Sequence, residues 1–146
     1  MKDIDIRKAL INRFLTLNDF SGIEFISFDT ENKPTNVALP NVNFTVPNDK
    51  RYFVVNVLFD EPEQIGVMDF EQQRYTGFMQ IDICIPKNTG EDEADNKFTH
   101  ISKLFLEGTS FDGVDIDKVY KANTSEEGGI FRTIVRIDFT SDVVNM

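Results

Sequence analysis

Over residues 75–85 the side chains alternate with a period of two. Tyr75, Gly77, Met79, Ile81, Ile83 and Ile85 fall on one side, and Thr76, Phe78, Gln80, Asp82 and Cys84 on the other. A pleated strand turns such a series into one apolar and one mixed face, because successive side chains point to opposite sides. Phe131, Thr133, Val135, Ile137 and Phe139 repeat the pattern against Arg132, Ile134, Arg136 and Asp138. A chain with two such half-buried strands must build a sheet with one face against a core.

The remaining elements assemble around that sheet. Residues 51–59 (RYFVVNVLF) are apolar on both faces and predict a central strand. Shorter strands are predicted over 23–28 and 114–120, with a turn at 125–129 that holds Gly128 and Gly129. Ile6, Leu10, Phe14 and Leu17 recur at helical spacing and predict an amphipathic helix over 3–17. A second helix is predicted over 91–107, with Ala94, Phe98, Ile101 and Phe105 on one face and Gly108 as its C-terminal cap. Residues 29–50 carry Pro34, Pro40 and Pro47 and read as a long connection outside the central sheet. The expected class is α+β in the order α-β-β-β-α-β-β. It has a mostly antiparallel sheet of about four to five strands, with two helices packed on one face. At 146 residues the chain suits one domain spanning 1–146.

Composition narrows function. The formal net charge of −10 disfavours binding to a phosphate backbone or an anionic membrane surface, both of which draw on Lys and Arg. The single cysteine, Cys84, excludes an internal disulfide and points to folding in a reducing compartment. No apolar run approaches the roughly 20 residues that a membrane-spanning helix needs. The start MKDIDIR is too charged for a signal peptide, so synthesis in the cytoplasm is expected. Fourteen Phe and no Trp put most of the aromatic area into core or interface.

Chemistry finds little support. His100, the only histidine, has no motif that supplies a nucleophile or carboxylate partner. Cys84 lies between Ile83 and Ile85 and near Asp82, which suits a packing residue better than an activated thiolate. Glu91, Asp92, Glu93 and Asp95 lack the alternate spacing of a calcium loop, and acids in a first helical turn are explained by the helix dipole. Gly128-Gly129 has no strand-to-helix context for phosphate binding. No catalytic, cofactor-binding or metal-binding residue is expected.

Residues 60–73 (DEPEQIGVMDFEQQ) stand apart. They carry five acids, no base and an apolar insert of Ile65, Val67, Met68 and Phe70. Neither the helical nor the strand period fits them. Apolar side chains in an acidic loop are costly to leave in water, so a protruding arm that folds against a neighbouring subunit is expected. Ile65, Val67, Met68, Phe70 and the adjacent Arg74 form the expected subunit interface.

With these elements in order, the chain resembles the phage tail terminator-like family related to the lambda tail terminator. The resemblance covers about residues 4–140 and is carried by IDIRKALINRFLTL, KRYFVVNVLFDEPEQIGV, QQRYTGFMQIDICIPKNTGEDEA and GIFRTIVRIDFTSDVV. It implies a structural protein without catalytic residues. Its copies would form a ring, often of six, that caps the finished tail tube, stops polymerisation and presents a surface for head attachment. The implied partners are further copies of itself, the major tail tube protein and the head-tail connector. Packaged DNA would pass an acidic lumen without specific binding. The implied location is the virion tail of a phage or prophage. A neck or tail-completion protein on the same fold, and an acidic adaptor or inhibitor, are the alternatives.

Overall fold

The computed structural model describes residues 3–60, 63–64 and 71–145. In chain order the elements are α1 (Asp3–Phe14), α2 (Leu17–Ser21), β1 (Val37–Ala38), β2 (Tyr52–Phe59), β3 (Glu63–Gln64), β4 (Glu71–Pro86), α3 (Asp92–Leu104), β5 (Ser110–Phe111), β6 (Val114–Glu127) and β7 (Ile130–Asn145). The sheet runs β1-β2-β4-β7-β6-β5, and β3 pairs with β4 off that path. The class is α+β as expected, but short strands and a split first helix raise the numbers to seven strands and three helices among the described residues.

The two alternating segments are the centre of the sheet. β4 and β7 pair antiparallel along all 16 residues of each, with Ile81 opposite Val135 and Gly77 opposite Phe139. Met79, Ile81, Ile83, Val135, Ile137 and Phe139 are buried on one face. Ile6, Leu10 and Phe14 of α1 and Ala94, Ile101 and Leu104 of α3 complete the same core. Gly128 and Gly129 join β6 to β7 with φ of 59° and 80°, the positive values that a two-residue hairpin turn requires.

Gly77 is explained by contact rather than by backbone conformation. A Cβ there would lie 2.1 Å from the Leu58 carbonyl oxygen, so only glycine lets β2 approach β4 this closely. Phe59 packs edge-on to Phe139 at 5.5 Å and to Tyr75 at 6.4 Å beside it.

Several boundaries differ from the sequence expectation, each for a local reason. The first helix does not run through residue 17. The Thr16 N–H turns to the Arg13 carbonyl at 3.0 Å, and its hydroxyl donates to the same oxygen at 2.6 Å. This tightening breaks the α pattern before α2 begins. Residues 23–28 form no strand; a single bridge links Phe28 to Pro34. Two asparagine side chains take the place of a strand neighbour there. Asn18 accepts from the Ile26 N–H at 2.8 Å and donates to its carbonyl at 2.6 Å. Asn36 accepts from the Ser27 N–H and donates to the Phe25 carbonyl, both at 2.9 Å.

β2 is not central. β1 covers only Phe53 and Val54 before Pro40, which lacks an N–H, enters the chain. Asn56 and Leu58 are exposed because they face away from the helices, while Val55 and Val57 between and beside them are buried. β6 extends to Glu127 rather than stopping near 120, because β7 continues to offer a partner edge. Phe105, not Gly108, occupies the C-cap of α3, while the Gly108 N–H bonds the Ile116 carbonyl at 2.9 Å.

The flanks of the expected arm are strand-paired, Glu63 with Arg74 and Gln64 with Gln73. Ile65, Val67, Met68 and Phe70 lie outside the described residues.

Candidate functional site

His100 projects from α3, and its ring lies 5.2 Å from that of Phe25 in a tilted contact. This aromatic packing accounts for the residue. Cys84 is fully buried on the face of the sheet opposite the helices, beside Tyr52 and Arg132 in the strand register. Burial pushes its thiol up, and the neighbouring Arg132 only partly opposes that shift. A buried, protonated thiol is a poor nucleophile. The sequence missed the bridge beside it, in which Arg132 donates to the buried Asp82 at 3.1 Å.

The acidic start of α3 is likewise committed within the fold. Glu93 accepts from Arg51 at 2.8 Å and from Lys97 at 3.3 Å, and Asp95 accepts from Lys121. Desolvation pulls the Glu93 carboxyl up, but Arg51 and Lys97 outweigh it and hold the group below the ordinary range. Among the described residues no group of three or more His, Cys, Asp or Glu is placed to hold a metal ion. An open recess of about 320 Å³ lies among Ser27, Asn36, Thr45, Asp49 and Arg51, and it gathers no nucleophile-base pair.

What the fold does offer is surface. Arg74 sits where the β3–β4 pairing leaves the main sheet, and its guanidinium grips Asp142 of β7 at 2.9 Å. Both side chains stay about two-fifths exposed, at 42% and 39%. The helix-free sheet face carries Leu58, half exposed, and Phe78, over which the Arg136 guanidinium lies at 4.6 Å. The Nε of Arg136 is buried without a hydrogen-bond partner. Strand alternation was legible for this face; the stacking was not, since it depends on which strands become neighbours.

The two ends of the sheet are also open. β1 covers two residues of β2, and β5 covers only Val114 and Asp115 of β6. Unpaired sheet edges leave backbone N–H and C=O groups available for pairing.

A family model described as "Phage tail terminator protein" matches residues 5–139. The chain belongs to this family. It is therefore a structural protein of the phage tail, and a virion tail component. A solved structure, 18% identical, matches with a TM-score of 0.67 over 100% of this chain and 97% of the other, which shows a shared fold. A search of curated proteins finds no match. Among the described residues no helix is long and apolar enough to cross a membrane.

Proposed function

We propose that copies of this chain assemble into a ring that caps the finished tail tube, ends its polymerisation and offers the surface to which the head attaches. The observation that carries this reading is the terminator family match over nearly the whole chain. The architecture supports it. A ring needs a heterologous contact, in which one patch meets a different patch on the next subunit. The sheet has two unlike edges at opposite ends of its strand order.

The interface includes Ile65, Val67, Met68 and Phe70, with Arg74 at its base. These apolar side chains sit in an acidic stretch and gain shelter on a neighbour. The major tail tube protein and the head-tail connector are the partners on the two faces of the ring. The net charge of −10 lets DNA pass the lumen without sticking. The protein is made in the bacterial host cytoplasm and ends in the virion tail.

The test is sedimentation of concentrated protein followed by electron microscopy. Ring-sized particles are expected, and Phe70→Asp should lower their yield while the monomer keeps its melting temperature. A wild-type chain that stays monomeric and ignores tail tube subunits would reject the proposal.

A further inference from the structure

The helix-free face of the sheet holds two cations that the fold leaves without a counter-ion. Arg132 is spent on the buried Asp82. Arg136, on the same side of β7, makes no ion pair and no hydrogen bond to the described residues, and its Nε is buried without an acceptor. Its guanidinium lies instead over the Phe78 ring at 4.6 Å. Lys118 likewise forms no ion pair with the described residues, and its ammonium lies over the Tyr120 ring at 4.9 Å. Asp138 stands opposite Lys118 in the register but pairs with neither cation. Towards the end of the face, Asp60 and Asp117 accept from the hydroxyls of Thr76 and Thr140.

Beside the guanidinium the face is apolar. Leu58 is opposite Phe78 in the register and is 49% exposed. A ring-stacked guanidinium next to an exposed apolar pair is a site for a carboxylate carried on an apolar segment.

The chain contains such a segment. Residues 65–71 (IGVMDFE) set Asp69 and Glu71 around Phe70, and no base occurs from 60 to 73. Their own face is out of their reach. Glu71 is the first residue of β4, and Gln80, the β4 neighbour of Arg136, is nine positions further along the same strand. At about 3.3 Å per residue the two are roughly 30 Å apart. Asp69 is two residues before Glu71, which returns at most about 7 Å of that distance. The carboxylate of Asp69 therefore falls short of Arg136 in its own subunit.

We infer that Asp69 of a neighbouring copy binds the Arg136 guanidinium, with Phe70 of that copy seated against Leu58 and Phe78. The inference rests on the ring reading and deepens it by naming where the segment lands. A guanidinium held flat on a ring keeps its donors in one plane, the geometry that takes a carboxylate through two parallel bonds. Pairing gives a counter-ion to a cation whose buried donor has none. Lys118 adds attraction from the same side. Segment and face are different patches, so each copy gives one and receives one, as a closed ring requires.

Exchange of the two charges tests the pair. Arg136→Asp and Asp69→Arg should each weaken ring assembly by about tenfold or more, and the two changes in one chain should restore most of it. Proximity is read separately. Chains with Asp69→Cys are mixed with chains carrying Asn56→Cys, an exposed position in the same cross-strand row as Arg136. Cys84 is buried and stays silent under native conditions. A short bifunctional maleimide should link the two kinds of chain in the mixture and neither kind to itself. Rings that assemble equally well with Arg136→Asp, that are not restored by the paired exchange, or whose mixed chains do not link would each overturn this inference and leave the ring reading intact. A link formed within a single monomeric chain carrying both cysteines would overturn it too. A wild-type chain that never assembles removes the ring reading, and the inference falls with it.

Discussion

Replacing Gly77 by alanine adds one methyl group where the sheet has no room. The new Cβ would sit 2.1 Å from the Leu58 carbonyl oxygen and 3.0 Å from the Phe59 Cα. Ordinary contact needs more than an ångström of extra separation at the first of these. Neither atom can rotate away, because both belong to the β2 backbone, and β7 holds β4 from the other side. β2 must therefore move off β4 near its end. Overpacking of this kind costs roughly 1–3 kcal/mol. One or two weakened ladder hydrogen bonds add about 1 kcal/mol each. A total of about 3 kcal/mol corresponds, for a domain near this size, to a fall in Tm of roughly 6–12 °C. Thermal unfolding followed by far-ultraviolet circular dichroism measures it, with Thr76→Ala as a neighbouring control. A Gly77→Ala protein that melts within about 2 °C of wild type would show that the β2–β4 approach is not as tight as described.

Three further outcomes follow from the same contacts. Asn18→Ala removes both side-chain bonds to the Ile26 backbone and should cost about 1–3 kcal/mol, with faster amide exchange at Ile26 than in wild type; unchanged exchange there would refute the strand-substitute role. The Cys84 thiol should ignore a thiol reagent in the native protein at neutral pH and react fully after denaturation, since burial both hides it and raises its pKa. The Glu93 carboxyl is held below its ordinary value of 4.5 in the fold, so its contribution is present above that pH and is lost as pH falls through the lowered folded value. Glu93→Gln should therefore flatten the acid limb of a stability-versus-pH curve below about pH 4.5 and lower stability at neutral pH; an acid limb identical to wild type would contradict the Arg51 and Lys97 pairing.

Local periodicity made much of the fold legible in advance. The alternation at 75–85 and 131–139 identified the two strands that pair across the middle of the sheet, and the apolar spacing of Ile6, Leu10 and Phe14 identified the helical face that covers it. These features depend only on side chains one to four residues apart, the range over which backbone geometry orients neighbours. The family resemblance was legible for the same reason, since the order of elements is written along the chain.

Other features needed distant residues to meet. Residues 23–28 have strand-like composition, but Asn18 and Asn36 satisfy their backbone from either side, and no short window of sequence contains all three. RYFVVNVLF is apolar on both faces, yet β2 lies next to the edge, because Pro40 ends β1 and the strand order places β4 and β7 between it and β6. The expectation of no catalytic centre rests on residue types alone. The long-range pairing of the charged groups could not be argued that way, since Arg51, Arg132 and Asp142, which pair with Glu93, Asp82 and Arg74, are 42, 50 and 68 positions away in the chain. Sequence alone thus determined which segments pleat or coil, through local sterics and the hydrophobic pattern. The tertiary structure decided which edges stay open and which charges are neutralised, because those depend on which strands become neighbours.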